Sequence, residues 1–266
     1  MTWIADTFRA EPMARRFWIV VLAWIASMVL TPIGIQVWGE AAFPICTSVT
    51  VLLHTAASLM AMSERRSGRW VLRRFLWIIL AALAIEAVGA KTGFPFGRYR
   101  YTSLLQPQAL SVPVLIPLAW TMMLIPAWGI TSAILGQRTP GARHAIVFTL
   151  ISALAFTAWD FYLDPYMVAG GLWIWDQPGG YFGIPWSNFL GWLISAALIT
   201  AVSRSGHVDS ANLILIYTIT WAFQWIAQIF FWNQPGPAWV GFLLMGLFAT
   251  LAWRSYWQRS QQLSGH

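Results

Sequence analysis

From Ser210 to Trp253 the chain runs 44 residues without one charged side chain. A helix needs about 20 residues to cross about 30 Å of hydrocarbon, so this stretch is long enough for two crossings. Asn233-Gln234-Pro235-Gly236-Pro237 supplies the break between them, because Pro and Gly interrupt helices. Six further apolar runs precede it. The chain therefore reads as all-α, a polytopic transmembrane bundle of about eight helices, with seven possible. The spans fall at roughly 17–37, 42–62, 70–90, 113–135, 144–163, 186–203, 210–232 and 238–256. Residues 1–266 form a single integral membrane domain, with no internal repeat and no soluble domain. Only 9% of residues are charged and 58% are apolar, whereas a soluble domain carries about 25% charged residues. So much apolar surface needs lipid as its solvent.

Charge gives the orientation. With the N-terminus inside, the inner segments hold Arg9, Arg15, Arg16, Arg65, Arg66, Arg69, Arg73, Arg74, Arg138, Arg143, Arg204, Arg254 and Arg259, 13 of the 16 basic residues; Lys91, Arg98 and Arg100 lie outside. Cationic loops stay on the cytoplasmic side. This predicts a multi-pass protein of the cytoplasmic membrane with both termini in the cytoplasm. The net charge of +7 is spread in short clusters between apolar runs. That pattern suits anionic lipid headgroups and excludes nucleic acid as a partner. Cys46, alone in an apolar run, reads as a buried structural thiol.

The acids gather at the other end. Glu40, Glu86, Asp160, Asp164 and Asp176 all fall at or near outer helix ends. Two long outer segments, Lys91 to Val112 and Pro165 to Pro185, are rich in Gly, Pro and aromatics. They are expected to pack back into the bundle mouth, where irregular backbone is shielded from lipid. Glu86 lies within the third span, where a carboxylate costs roughly 2.5–3.5 kcal/mol on insertion scales, and a neutral form is expected there. Asp160 and Asp164 are one turn apart, so both can point to one side. Pro165 biases Asp164 out of helical geometry and predicts the helix end there, leaving Asp160 as the acid still within it. Such a pair resembles the aspartate-rich sites of membrane prenyltransferases, which carry two such motifs for magnesium and diphosphate. Here there is one pair, and His54, His144, His207 and His266 are scattered, so no metal is expected.

Glu86…Gly89…Thr92-Gly93-Phe94-Pro95-Phe96-Gly97-Arg98-Tyr99-Arg100-Tyr101 resembles the first signature of the carotenoid 1,2-hydratase family, hydratases of lycopene, γ-carotene and the bacterioruberin precursor. Val112-Pro113-Val114…Pro117-Leu118-Ala119-Trp120 resembles the segment that follows. Trp159-Asp160…Asp164-Pro165…Met167, Gly171…Trp173-Ile174-Trp175 and Gly180-Tyr181-Phe182-Gly183-Ile184-Pro185…Asn188-Phe189…Gly191-Trp192 resemble the second. The matches cover about residues 86–192.

The resemblance implies addition of water across the terminal 1,2 double bond of an acyclic carotenoid, by a hydro-lyase without a cofactor. Protonating C2 leaves a tertiary cation at C1. That step needs a neutral carboxylic acid in an apolar site. The cation needs electron-rich ring faces, and a second carboxylate would take the proton of the incoming water. On this chemistry Glu86 and Asp160 are the acid/base candidates, with Asp164 in support. Arg98, Tyr99, Tyr101, Trp120, Trp159, Trp173, Trp175 and Tyr181 are candidate pocket residues, and Asn188 a candidate water holder. Expected partners are the carotenoid, membrane lipid and other carotenoid enzymes. Two other readings remain open: a carotenoid-binding scaffold without catalysis, and a small-solute or proton transporter.

Overall fold

A computed structural model describes residues 12–136, 141–203 and 208–264. Among the described residues eight helices carry the fold: α1 (Pro12–Trp38), α2 (Ala42–Ser63), α3 (Gly68–Thr92), α4 (Leu115–Leu135), α5 (Ala142–Ala169), α6 (Trp186–Ser203), α7 (Ala211–Phe230) and α8 (Pro235–Ser264). Each expected span falls on one of them, with ends shifted by a few residues. By length and composition seven are apolar enough to cross a membrane. The eighth, α3, carries Arg69, Arg73 and Arg74 in its first two turns and Glu86 near its end. The protein is a multi-pass membrane bundle. Arg9, Arg138, Arg204, His207 and His266 lie outside the described residues.

α4 is buried almost throughout and packs against α2, α3, α5, α7 and α8. α3, α4, α5 and α6 close a ring: α3 touches α4 and α6, and α5 touches the same two. The opposite surface chemistry holds outside. Leu22, Leu30, Leu80, Leu150, Leu198 and Leu243 are all exposed, as a lipid-facing belt requires. Cys46 departs from expectation. It is partly exposed, because it sits at the α1–α2 contact against Gly34 rather than in the core.

The two long connections meet at one end of the bundle, the mouth. β1 (Tyr99–Tyr101) pairs antiparallel with β4 (Trp173–Trp175), and β2 (Gln108–Ala109) with β3 (Val112–Pro113). The arginines of the helix termini, Arg15, Arg16, Arg65, Arg66, Arg69, Arg73, Arg74, Arg143, Arg254 and Arg259, lie at the other end.

One expectation fails in a useful way. α5 does not stop at Asp164 but continues through Pro165 to Ala169. Proline removes the hydrogen bond to the carbonyl four residues back, which here is that of Phe161. The Tyr181 hydroxyl donates to that carbonyl at 3.0 Å. Gln228 and Gln234 side-chain amides donate to the Tyr162 and Pro165 carbonyls. Tyr181, from the outer loop, thus satisfies the carbonyl that Pro165 exposes, Gln228 and Gln234 brace the carbonyls around it, and both aspartates remain on one continuous helix.

Candidate active site

The ribbon of β1 and β4 is the roof of the site. Its register sets Tyr99 opposite Trp175, Arg100 opposite Ile174 and Tyr101 opposite Trp173. Strand residues alternate between faces. The four aromatic residues therefore turn inward, while Arg100 and Ile174 are exposed. Tyr99 meets Trp175 edge to face at 4.8 Å, and Tyr101 meets Trp173 likewise at 5.9 Å. The ribbon can lie this close to α3 because residue 89 is glycine. A Cβ there would stand 2.7 Å from the Phe96 ring and 3.0 Å from the Tyr99 hydroxyl. Gly97 turns the chain into β1 at φ +98°, a conformation that glycine adopts without steric cost.

Glu86 points up under this roof, 3% exposed. Its Oε2 accepts the Tyr99 hydroxyl at 2.5 Å and the Tyr101 hydroxyl at 2.7 Å. Its Oε1 accepts the Trp120 indole N–H at 3.0 Å. One carboxyl thus holds three donors, drawn from β1 and α4. Burial and the adjacent Glu86 push the Tyr99 and Tyr101 phenols up from the ordinary tyrosine range, so both stay protonated and donate.

The aspartates are arranged the other way round. Asn188, at the start of α6, donates through Nδ2 to Asp160 at 2.8 Å and also to Asp164. The two carboxyls stand one helical turn apart on this single amide nitrogen, and Asp160 Oδ1 has no hydrogen-bond partner among the described residues. Two buried carboxyls so close cannot both carry charge cheaply, which favours one proton held by the pair.

Both clusters border one cavity of about 350 Å³. Trp120, Trp159, Trp173, Trp175 and Trp192 supply much of its wall. Trp192 stacks on Trp120 at 4.8 Å and on Phe156 at 5.1 Å, each with ring planes 22° apart. The lining reaches Val29 on α1 and Ile226 and Phe231 at the end of α7, all exposed side chains on the lipid-facing surface. The cavity therefore opens sideways as well as being roofed. Among the described residues no three His, Cys, Asp or Glu side chains converge as a metal-binding group.

A family model described as carotenoid biosynthesis protein matches residues 46–250, most of the chain and all three carboxyls of the site. The chain belongs to the carotenoid biosynthesis protein family. It is similar to bisanhydrobacterioruberin hydratase of Haloarcula japonica, 30% identical over 162 residues, 60% of this chain and 52% of that protein. It thus spans about half the length of the curated relative it matches. No solved structure matches it.

In this carotenoid biosynthesis protein the cavity brings together Glu86, Tyr99, Tyr101, Trp120, Trp159, Asp164, Trp173, Trp175 and Asn188 from the expected set. Three expected residues stand elsewhere. Asp160 is wholly buried behind Asp164 and is not on the cavity wall. Tyr181 satisfies α5 and packs on Phe161 and Phe189. Arg98 is exposed at the loop surface, its backbone carbonyl accepting the Asp176 N–H. The cavity also contains Trp24, His54 and Gln224, which the reading of the sequence did not select. The signal was there: each of His54 and Gln224 is a polar residue inside an apolar span, which is a pointer to function in membrane helices.

Proposed function

We propose that this protein hydrates the terminal 1,2 double bond of an acyclic carotenoid. The observation that carries the reading is the pairing of two buried aspartates on one amide donor with a three-donor carboxyl on one aromatic cavity open to lipid. The substrate end group slides in from the bilayer between α1 and α7, and the rest of the polyene stays in hydrocarbon. Asp164, on the wall, transfers the pair's proton to C2, and the Asn188 amide, the donor to both aspartates, holds the charge left behind. The cation at C1 is stabilised by the indole faces around it and by Glu86. Water attacks C1, forming the C1–O bond, and its proton passes to Glu86. The carboxyls exchange that proton through water before the next turnover.

The direction of proton flow follows from the hydrogen bonds. Glu86 is surrounded by donors, so it is built to accept; the aspartates outnumber their donor, so the pair is built to give. Positioned acids and bases of this kind contribute about 10²–10⁴-fold each. The protein is further proposed to sit in the cytoplasmic membrane with its arginine-rich end in the cytoplasm, so that the roofed site faces away from the cytoplasm. Lycopene, γ-carotene and bisanhydrobacterioruberin are the substrates to compare, the last because it names the relative's activity.

The test is expression in a bacterium that accumulates lycopene, with parallel hosts for the other two, and mass analysis of the extracted pigments. A product heavier by one or two waters, lost in Asp164→Asn, is expected. Pigment that copurifies unchanged in all three hosts would replace hydration with carotenoid binding.

A further inference from the structure

Hydration requires a water molecule held beside the carbon that becomes positive, and the two carboxyl clusters leave little room to hold it. The Glu86 oxygens already accept three donors, and both N–H groups of the Asn188 amide turn toward the aspartates. The cavity has another polar edge. His54, on α2, is 2% exposed and lines the cavity, and its Nε2 has no hydrogen-bond partner among the described residues. Its ring lies on Trp24 with centroids 4.2 Å apart and planes 27° apart, which fixes the plane in which Nε2 points. Gln224, on α7, lines the same cavity, and its Oε1 is also unpartnered among the described residues. α2 and α7 pack against each other.

This edge stands at the depth of the chemistry. Thr55, the residue after His54, donates to the Leu118 carbonyl at 3.2 Å. Two residues on, Trp120 donates to Glu86. α2 and α4 are thereby in register at the level of the carboxyl. Buried polar atoms without partners cost on the order of 1–3 kcal/mol each, and the stacking on Trp24 leaves His54 Nε2 unsatisfied among the described residues. A water is the ligand their chemistry fits. It can donate one hydrogen to this edge, to Gln224 Oε1 or to the unprotonated nitrogen of a neutral imidazole, and keep the other free to pass to Glu86. Its lone pair then faces the ring-lined centre of the cavity.

Resting on the hydratase reading, we infer that His54 and Gln224 form the water-binding edge of the site and position the nucleophile for C1. They are positioning residues. Asp164 makes the cation, this edge supplies the oxygen, and Glu86 takes the proton released.

The two steps separate in heavy water. If the water is not held, a cation formed by deuteron addition at C2 decays by losing the original C2 hydrogen, which returns the alkene carrying deuterium. Membranes of wild type, His54→Ala, His54→Gln, Gln224→Leu and Asp164→Asn are incubated with substrate in D₂O, and recovered substrate and product are analysed by mass. The expected result is that His54→Ala and Gln224→Leu lose hydration by 10-fold or more while deuterium accumulates in recovered substrate. His54→Gln, which keeps an acceptor, should regain part of the hydration, and Asp164→Asn should show neither product nor exchange. Hydration at the wild-type level in His54→Ala would overturn the inference. So would loss of hydration and exchange together in His54→Ala, His54→Gln and Gln224→Leu, the outcome of a merely structural role. A wild-type protein that exchanges deuterium into substrate yet forms no hydrated product would instead remove the hydratase reading, and this inference with it.

Discussion

The two carboxyl clusters on the cavity are built with opposite inventories. Around Glu86 three donors converge on one carboxyl. Around Asp160 and Asp164 one amide serves two carboxyls, and Asp160 Oδ1 is left without a partner among the described residues. They stand on α3 and α5, helices held apart by α4 and α6. The difference teaches that type and burial alone do not give an acid its role, since all three are at most 3% exposed. The balance of donors to acceptors does. A surplus of donors marks a place prepared for negative charge, and a surplus of carboxyls marks a place prepared to keep a proton.

The comparison can be broken most sharply at Asp164. Asp164→Asn, which removes the proton donor on the wall, should lower hydration by at least about 100-fold, measured as product formed in membranes. Asp160→Asn, behind it, should cost less, about 10-fold, since the proton can still reside on Asp164. If Asp160→Asn were the more severe, the distinction between wall and support would be wrong. Glu86→Gln should cost about 100-fold, because a neutral amide neither offsets the cation nor accepts its proton. Tyr101→Phe sharpens the other half. Hydrogen bonds to a charged group are worth about 1.5–3 kcal/mol, so about a 10-fold loss is expected, with the pigment still bound. Asn188→Leu leaves both aspartates without their donor and should lower the midpoint of thermal unfolding in detergent. The cost is about 1–3 kcal/mol for the groups left unsatisfied. Arg98→Ala, at the exposed loop surface, is expected to change hydration by less than about twofold.

Much of the fold could be read from the sequence. Hydropathy reports the length of each span, and the arginines report the ends, so the eight helices and the common end of the acids were legible. The mouth was legible only as a composition. Nothing in Tyr99-Arg100-Tyr101 or Trp173-Ile174-Trp175 says that the two triplets pair, because three residues of strand are too short for a periodic signal and 71 residues separate them. The donors to Glu86 come from that pairing and from Trp120, so its environment could not be read from its own helix. The order of Asp160 and Asp164 was misleading for a related reason. The rule that proline ends a helix is local, whereas Tyr181 satisfies the exposed Phe161 carbonyl from elsewhere in the fold. His54 and Gln224 were visible as polar residues in apolar spans, but which way they face depends on helix rotation, and that is a property of packing.

The pairing of β1 with β4 acts as a ruler with marks two residues apart. Phenol and guanidinium alternate along it as Tyr99, Arg100 and Tyr101, and only the phenols reach Glu86. A single-residue insertion or deletion ahead of β1 that the pairing absorbed would advance the strand by one mark. The carboxyl would then meet Arg100, a permanent cation, and the group proposed to receive a proton would become half of an ion pair. A change of length by one residue in this loop would thereby do what no single side-chain change at Tyr99 or Tyr101 does, turning the proposed base into a neutralised structural carboxyl.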